Sequence, residues 1–225
     1  MLQIPDSLIR CPLFDGIDPS DISGMLSCLG ARRMRYEKGV VILSEGAPAQ
    51  DMGIVLSGQI QLIRTDFYGN RSIILNILPG QLFAESFACS KAAQLPVSVI
   101  ATENSEVLLL DCCRVLSTCH NACAFHNRII FNLLQIVADR NLALHRKALI
   151  TAKRTTREKL MTYLHLEAKD AGCPAFTISF DRQGLADYLE VDRSGLSAEM
   201  SKLKREGILD YYKNSFRLLQ LPKPD

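Results

Sequence analysis

Residues 111–126, DCCRVLSTCHNACAFH, concentrate side chains that can bind metals or undergo redox chemistry, with four of the chain's eight cysteines and two of its four histidines. Cys119, Cys123 and His126 are spaced i, i+4 and i+7, so on a helix they would project from one face. Thiolate and imidazole groups on one face could ligate zinc, an iron–sulfur cluster or haem iron. Cys112 and Cys113 lie just upstream and extend the set of candidate ligands.

The same cysteines have other interpretations. Free cysteines often pack as small hydrophobic residues, and the stretch lacks the Cys-x-x-Cys pair typical of zinc sites. A thiol at a helix N-terminus is also a more reactive thiolate, which suits a redox switch. A thiol enzyme with Cys119 as nucleophile and His126 as base is disfavoured, because seven helical residues separate them by roughly 10 Å. Packing, a metal or redox switch, and haem ligation all remain open.

The composition is that of a globular protein of two domains, with 225 residues, 48% hydrophobic and 22% charged. No apolar run is long enough for a membrane span, and the start MLQIPDSLIRCPLFDG lacks the features of a secretory signal. We therefore expect a cytoplasmic protein with reduced cysteines and no membrane partner. The net charge of +2 is too small to indicate nucleic-acid binding, so any DNA-binding surface must be local.

Residues 32–111 consist of short apolar runs separated by glycines, a pattern that predicts β-strands. LSGQIQL is typical of a hairpin around Ser57 and Gly58, and DFYGNR of a turn around Gly69 and Asn70. An antiparallel barrel or sandwich would close these strands and cover their edges. The fold class predicted for the chain is therefore α+β, with an N-terminal antiparallel β-roll.

A long helix is predicted from about residue 118 to 150, where glycine and proline are absent and apolar residues recur every three or four positions. Its broad apolar stripe favours a homodimer, in which Leu133 and Ile136 are expected to hold the two chains together. We divide the chain into an N-terminal domain at 1–117, a dimerisation helix at 118–150 and a C-terminal domain at 151–225.

Residues 181–207 predict two helices joined by a tight turn, with Asp181 and Asp192 as N-caps and Gly207 ending the second helix. This arrangement is typical of a helix-turn-helix, although an ordinary pair of packed helices would give the same pattern. The outer face of the second helix would carry Arg193, Ser194, Ser197, Ala198 and Lys202.

The chain resembles the Crp/Fnr family of bacterial transcription regulators along nearly its whole length. The glycine-spaced segments KGVVILSEG, GIVLSGQIQL, YGNRSIILNILPGQLFAE and PVSVIATENSEVLLLD match the family's sensory barrel. The long helix and the C-terminal helix-turn-helix follow in the family's order. The resemblance implies a winged helix-turn-helix, a homodimer on inverted-repeat double-stranded DNA, contact with RNA polymerase if the protein is an activator, and no enzymatic activity.

The chain departs from the family's cyclic-nucleotide binders, in which a Gly-Glu pair and a downstream Arg-Ser or Arg-Thr pair hold the ribose and the cyclic phosphate. Glu85 is present, but Ala84 replaces the glycine and residues 94–98 contain no arginine. A buried phosphate would be unpaired, so cyclic AMP is not expected to be the effector. The N-terminus has only Cys11 and Cys28, so the family's usual N-terminal iron–sulfur cluster is not expected either. The effector pocket is expected at Arg71, Phe83, Ala84, Glu85, Ser86, Pro96, Ser98 and His126, although an arginine beside a turn, as Arg71 is, is more often solvated.

The resemblance also assigns DNA contacts. Arg193, Ser194 and Ala198 match the family's base-contacting positions, and we expect Ser197 and Lys202 to supplement them. Gln183, Lys204 and Lys213 are expected to contact phosphates. The predicted function is a DNA-binding regulator gated by an effector or a redox, metal or gas signal other than cyclic AMP. A haem- or metal-dependent gas sensor is the alternative.

Overall fold

The computed structural model describes residues 4–65, 67, 71–90, 94–117 and 124–220. The chain forms two compact units, Met1–Ala138 and Asp139–Asp225, and the helix Ala124–Thr151 contributes residues to both. The division at residues 117 and 150 therefore stays a prediction. Among the helices of the described residues, none is long and apolar enough to cross a membrane.

The first unit is a β-roll of two antiparallel four-stranded sheets with short helices around it, which confirms the predicted fold class. The strands follow the orders β1-β8-β3-β6 and β2-β7-β4-β5. Its helices are α1 (Asp6–Ile9), α2 (Pro19–Cys28), α3 (Glu85–Ala88), α4 (Cys112–Leu116) and the start of α5 (Ala124–Thr151); its strands are β1 (Arg32–Tyr36), β2 (Val41–Leu43), β3 (Asp51–Ser57), β4 (Ile60–Thr65), β5 (Arg71–Ile77), β6 (Leu82–Phe83), β7 (Ser98–Ala101) and β8 (Ser105–Asp111).

Strands β3 and β8 are apolar on both faces, which explains the unbroken runs GIVL and VLLL in the sequence. Ile54 and Leu108 face a cluster built with α1, α2 and α5. Val55 and Val107 point the opposite way, into the interior of the roll. Because successive side chains of a strand alternate between its faces, each of these two strands contributes side chains to both hydrophobic clusters of the unit.

The hairpin predicted at Ser57 and Gly58 is wrong, because β3 and β4 belong to different sheets. The turn between them passes from one sheet to the other and packs against the loop before β8. Gly58 has φ of 79°, and a Cβ atom there would lie 2.5 Å from the backbone oxygen of Asn104. The turn predicted at Gly69 and Asn70 lies outside the described residues, but the strands on either side of it, β4 and β5, do pair.

The predicted long helix is confirmed as α5 from Ala124 to Thr151, and residues 118–123 lie outside the described residues. Cys112–Leu116, just before the predicted range, forms a separate helix, α4, which is followed by Ser117 in extended conformation. The side-chain amide of Asn132 donates hydrogen bonds to the carbonyls of Leu13 and Asp15, each at 2.9 Å, which fixes α5 to the first unit. Leu133 is buried in that unit's own core, so its predicted role in a dimer interface is wrong. Ile136 is half-buried against the same core, and its role stays a prediction.

The second unit is a small helical domain with a three-stranded sheet of order β10-β11-β9. The end of α5, at Ile150, belongs to its core together with Tyr163, Leu185 and Met200. Beyond α5, its elements are α6 (Thr156–Ala171), β9 (Ala175–Thr177), α7 (Arg182–Leu189), α8 (Arg193–Arg205), β10 (Leu209–Tyr212) and β11 (Ser215–Leu218).

Candidate DNA-binding site and sensory region

Helices α7 and α8 form a helix-turn-helix whose ends are fixed by side-chain caps. The Asp181 carboxylate accepts from the Gly184 N–H at 2.7 Å, and the Asp192 carboxylate accepts from the Gly195 N–H at 2.8 Å, so both predicted caps are confirmed. Glu190 takes the left-handed conformation with φ of 54°, which lets the chain reverse within three residues. The short turn therefore fixes α8 relative to α7.

The inner face of α8 is fully buried through Leu196, Met200 and Leu203, which leaves the opposite face to solvent. On that face Arg193, Ser194, Ala198 and Lys202 are exposed and Ser197 is half-buried. The Ser194 hydroxyl donates to the Asp192 carboxylate, and the Ser197 hydroxyl donates to the Arg193 carbonyl at 2.9 Å. Both hydroxyls therefore have a local acceptor, whereas the Arg193 and Lys202 side chains extend as charged groups.

The residues predicted to contact phosphates differ in their surroundings. The Gln183 amide donates to Asp187 at 2.8 Å, and Lys204 Nζ lies 2.6 Å from the Asp210 carboxylate, which raises the pKa of Lys204. Lys213 is exposed at the tip of the hairpin between β10 and β11, in left-handed conformation with φ of 52°. A hairpin after the second helix is the wing of a winged helix-turn-helix, so Lys213 is the predicted phosphate contact that lies on the wing.

Sequence reasoning missed Arg157, which joins α6 to α8. Its Nε donates to Glu199 at 2.6 Å, and its terminal nitrogen donates to both carboxylate oxygens of Glu206 at 2.8 Å. The hydrogen bonds to Glu206 and to Glu199 raise the pKa of the guanidinium. The pairing spans more than forty residues of sequence, so no local pattern could have indicated it.

In the sensory region, the predicted pocket residues around α3 are largely core. Phe83 is fully buried, and its ring lies so close to Gly53 that a Cβ there would come within 2.0 Å of it. Ala84 takes φ of 60°, a left-handed conformation that glycine adopts more readily. Glu85 is fully buried and accepts a hydrogen bond from the Ser86 hydroxyl at 2.9 Å.

The remaining predicted pocket residues are spread over several environments. Ser86 and Pro96 are exposed, and the Ser98 hydroxyl accepts from the Glu45 N–H at 3.0 Å. The side chain of Arg71 lies outside the described residues. His126 lines a cavity of about 350 Å³ against α2, where its neighbours include Asp21 and Cys28. Among the described residues, no other predicted pocket residue lines that cavity, so the pocket stays a prediction.

The cysteine-rich stretch is described only in part, because Cys119 and Cys123 lie outside the described residues. Cys113 is exposed, and His126 Nε2 donates to the Arg114 carbonyl at 3.0 Å. Cys112 is buried, and its sulfur lies 3.3 Å from the sulfur of Cys89, a residue that the sequence did not indicate. Within the part of the chain that the structure describes, no three residues of metal-binding type lie close enough together to hold an ion.

A β-roll in one unit and a winged helix-turn-helix with exposed cations in the other define a DNA-binding transcription regulator with a separate sensory domain. The family model "Cyclic nucleotide-binding domain" matches residues 33–120, and "Crp-like helix-turn-helix domain" matches residues 158–223. The chain belongs to the Crp/Fnr family of transcription regulators.

The similar proteins come from several bacteria. The cyclic AMP receptor protein of Thermus thermophilus is 31% identical over 99 residues, which cover 44% of each chain. The transcriptional activator protein FnrL of Cereibacter sphaeroides is 23% identical over 183 residues, covering 77% of this chain and 71% of that one. A solved structure of the c-di-GMP-responsive global regulator CLP of Xanthomonas campestris has a TM-score of 0.55 at 19% identity, covering 91% of this chain and all of that one. That likeness concerns the fold.

Proposed function

We propose that this protein is a homodimeric regulator that binds an inverted-repeat operator through α8 and is gated by a signal other than cyclic AMP. The observation that carries the proposal is the solvent-facing side of α8, where Arg193 at the first helical position and Lys202 extend from a helix whose other side is buried. A helix presented in this way fits the major groove, in which arginine can contact guanine through two hydrogen bonds.

The homodimer is supported by the solvent-exposed side of α5 in the first unit. Phe131 and Leu134 are 50% and 65% exposed, although both are large and apolar. They are spaced i, i+3 and so share a face, while the neighbouring Leu133 is buried in the unit's own core. A second copy of the chain would cover this face, and a two-fold dimer matches an inverted repeat.

A signal other than cyclic AMP is supported by the interior of the roll. Phe83 occupies the space against Gly53, and Val97 and Val99 are packed in the same core. No arginine is present at 94–98 to pair with a phosphate. Since a phosphate buried without a cationic partner costs several kcal/mol, a cyclic nucleotide is a poor ligand for this roll.

The alternative is a sensor that binds haem, an iron–sulfur cluster or zinc. Cys112 contacts Cys89 and His126 contacts a carbonyl, so a metal site would depend on Cys119 and Cys123. Those thiolates would hold the ion, which would supply gas binding or redox change. An absorption spectrum and metal analysis of protein purified without oxygen would test this, and a protein without metal or chromophore would exclude it.

Selection of binding sites from random DNA tests the proposed function. We expect the wild type to recover an inverted repeat, and Arg193→Ala to lose discrimination at one base pair of each half-site, worth about 1–3 kcal/mol. Arg205→Ala is the control, since it removes the same side chain from the exposed end of α8 at a residue that is not among the predicted contacts. Recovery of no repeat, or undiminished selectivity of Arg193→Ala, would contradict the assignment of α8.

The wing is tested by salt dependence. Lys213→Ala should weaken binding to all sequences alike and reduce the slope of log affinity against log salt by about one, because one phosphate contact is lost. The same change at Lys153, which is exposed before α6 and is not among the predicted contacts, is the control. Equal slopes in all three proteins would remove Lys213 from the interface.

A further inference from the structure

We propose that Cys89 and Cys112 form a reversible disulfide when the protein is oxidised by a hydroperoxide, and that this disulfide changes operator affinity. The proposal deepens the proposed function, on which it rests, by naming a signal and the residues that receive it. It concerns a pair of thiols within the described residues and is independent of Cys119 and Cys123.

The geometry brings the two thiols together from separate elements. Cys89 follows α3 directly, and Cys112 is the first residue of α4, 23 residues later. Their sulfurs are 3.3 Å apart, and a disulfide of about 2.05 Å requires them to approach by only a little over 1 Å. Side-chain rotation supplies such a movement.

Both backbones are held in place by hydrogen bonds. The Cys89 N–H donates to the Glu85 carbonyl at 2.8 Å, and the Cys112 N–H donates to the Gln50 carbonyl at 3.1 Å. The two thiols thus meet at fixed positions in the first unit, without any large rearrangement of the chain. Cys113, the immediate neighbour of Cys112, is exposed and has no such cysteine opposite it among the described residues.

The two thiols differ in exposure, which assigns their roles. Cys89 is half-buried, whereas Cys112 is 2% exposed. The contact between the two sulfurs lowers the pKa of Cys89, and the same contact together with burial raises the pKa of Cys112. An oxidant from solvent therefore reaches Cys89 first, and Cys112 is the resolving thiol.

The chemistry balances with the hydroperoxide as the oxidant. The Cys89 thiolate attacks the terminal oxygen of the hydroperoxide, and the O–O bond breaks. Cys89 becomes a sulfenic acid, and with hydrogen peroxide the released hydroxide is protonated to a first water. The Cys112 sulfur then attacks the Cys89 sulfur, forms the S–S bond and displaces a second water. Two electrons pass from the two thiols to the peroxide, and a dithiol reductant returns them by exchange.

The position of the pair indicates how the signal would spread. The disulfide would tie the end of α3, which begins with the buried Glu85, to the start of α4. In the chain, α4 precedes α5, the helix that contributes to both units. A cross-link here therefore restrains the segment that leads into α5, and a restraint at that point can bias the helix that the two units share.

Mass spectrometry of the full chain tests the cross-link without reference to DNA. Fully reduced protein is treated with a small excess of hydrogen peroxide, the remaining thiols are alkylated and the protein is digested. We expect the peptides containing Cys89 and Cys112 to be linked in the wild type and in Cys113→Ser, unlinked in Cys89→Ser, and separated again by dithiothreitol. Complete alkylation of both thiols after peroxide, or a link from Cys112 to Cys113 instead, would overturn the proposal.

Operator affinity tests the regulatory part, using the DNA sequence selected by the reduced protein. We expect oxidation to change the affinity of the wild type by about five-fold or more, a typical allosteric coupling, and to leave Cys89→Ser unchanged. Cys173→Ser, which removes an exposed thiol of the second unit, should respond like the wild type. A disulfide that forms without changing affinity would overturn the regulatory part. If the reduced protein selects no operator at all, it is the proposed function that fails, because the cross-link is measured independently.

Discussion

Arg157 links α6 to α8 through charged hydrogen bonds. It donates to Glu199 and to both oxygens of Glu206, two carboxylates that lie on or just after α8. The guanidinium lowers the pKa of Glu206 from its ordinary value of 4.5. Stability from this pair is present above about pH 4.5 and is lost as pH falls through the lower pKa of the folded state.

Because the pKa of Glu206 is lowered in the folded state, the effect of Arg157 on thermal unfolding should depend on pH. Arg157→Gln should unfold at a lower temperature than the wild type at pH 7, and the difference should shrink as pH falls below 4.5, where the unfolded chain takes up the Glu206 proton first. Arg154→Gln, an equal loss of charge at an exposed neighbouring residue, should unfold like the wild type. A difference that is constant from pH 7 to pH 3 would mean that Arg157 acts by packing alone.

Ala84 is the residue whose conformation departs most clearly from its type. It keeps the left-handed backbone, with φ of 60°, at a position where the family's cyclic-nucleotide binders have glycine. Cyclic AMP should bind at least about 100-fold more weakly than to those relatives, because the missing arginine alone costs several kcal/mol and 1.4 kcal/mol is a factor of ten. Titration calorimetry of the wild type and of Ala84→Gly should detect no micromolar binding. Micromolar affinity of either protein would show that another group pairs with the phosphate.

Among the elements, the turn between β3 and β4 depends on the glycine at position 58. A Cβ on Gly58 would lie 2.4 Å from the Ser105 hydroxyl and 2.5 Å from the Asn104 carbonyl, and φ there is 79°. Gly58→Ala should therefore destabilise the protein by roughly 2–4 kcal/mol in denaturant unfolding.

The matched control is Gly24 in α2, where an added Cβ meets no atom within 4 Å. Gly24→Ala should stabilise the protein by about 0.5–1 kcal/mol, since alanine favours the helix more than glycine does. Equal effects of the two substitutions would mean that the turn at Gly58 does not pack against residues 104–105.

The same elements separate what the sequence could predict from what it could not. The caps at Asp181 and Asp192 are confirmed, because a cap depends on residues within three positions of each other. The hairpin at Ser57 is wrong, because a glycine turn looks alike whether the next strand stays in the sheet or crosses to the other one. The Cys89–Cys112 contact and the Arg157 pairs were missed, because the folded chain alone brings those residues together.

At the scale of the whole molecule, the exposed apolar face of α5 is the feature that supports the proposed homodimer. The broad apolar stripe seen in the sequence divides into two faces: Ile129 and Leu133 are buried in the first unit, and Phe131 and Leu134 are exposed. A large apolar surface that a single chain leaves exposed indicates an interface. Hydrophobic periodicity predicted the broad stripe, but only the structure assigns each residue to one of the two faces.

Leu134→Asp should therefore break the proposed dimer while leaving the first unit folded, because Leu134 is 65% exposed in the single chain. In a two-fold interface the change places two carboxylates in apolar surroundings at once, which costs several kcal/mol. Sedimentation should give a dimer of the 25.0 kDa chain for the wild type and a monomer for the variant, with an unchanged circular dichroism spectrum. Operator affinity should fall because the two half-sites are no longer bound by linked domains. Gln135→Asp, at an exposed polar neighbour, is the control and should remain dimeric. A Leu134→Asp protein that sediments as a dimer and keeps its operator affinity would place the interface elsewhere.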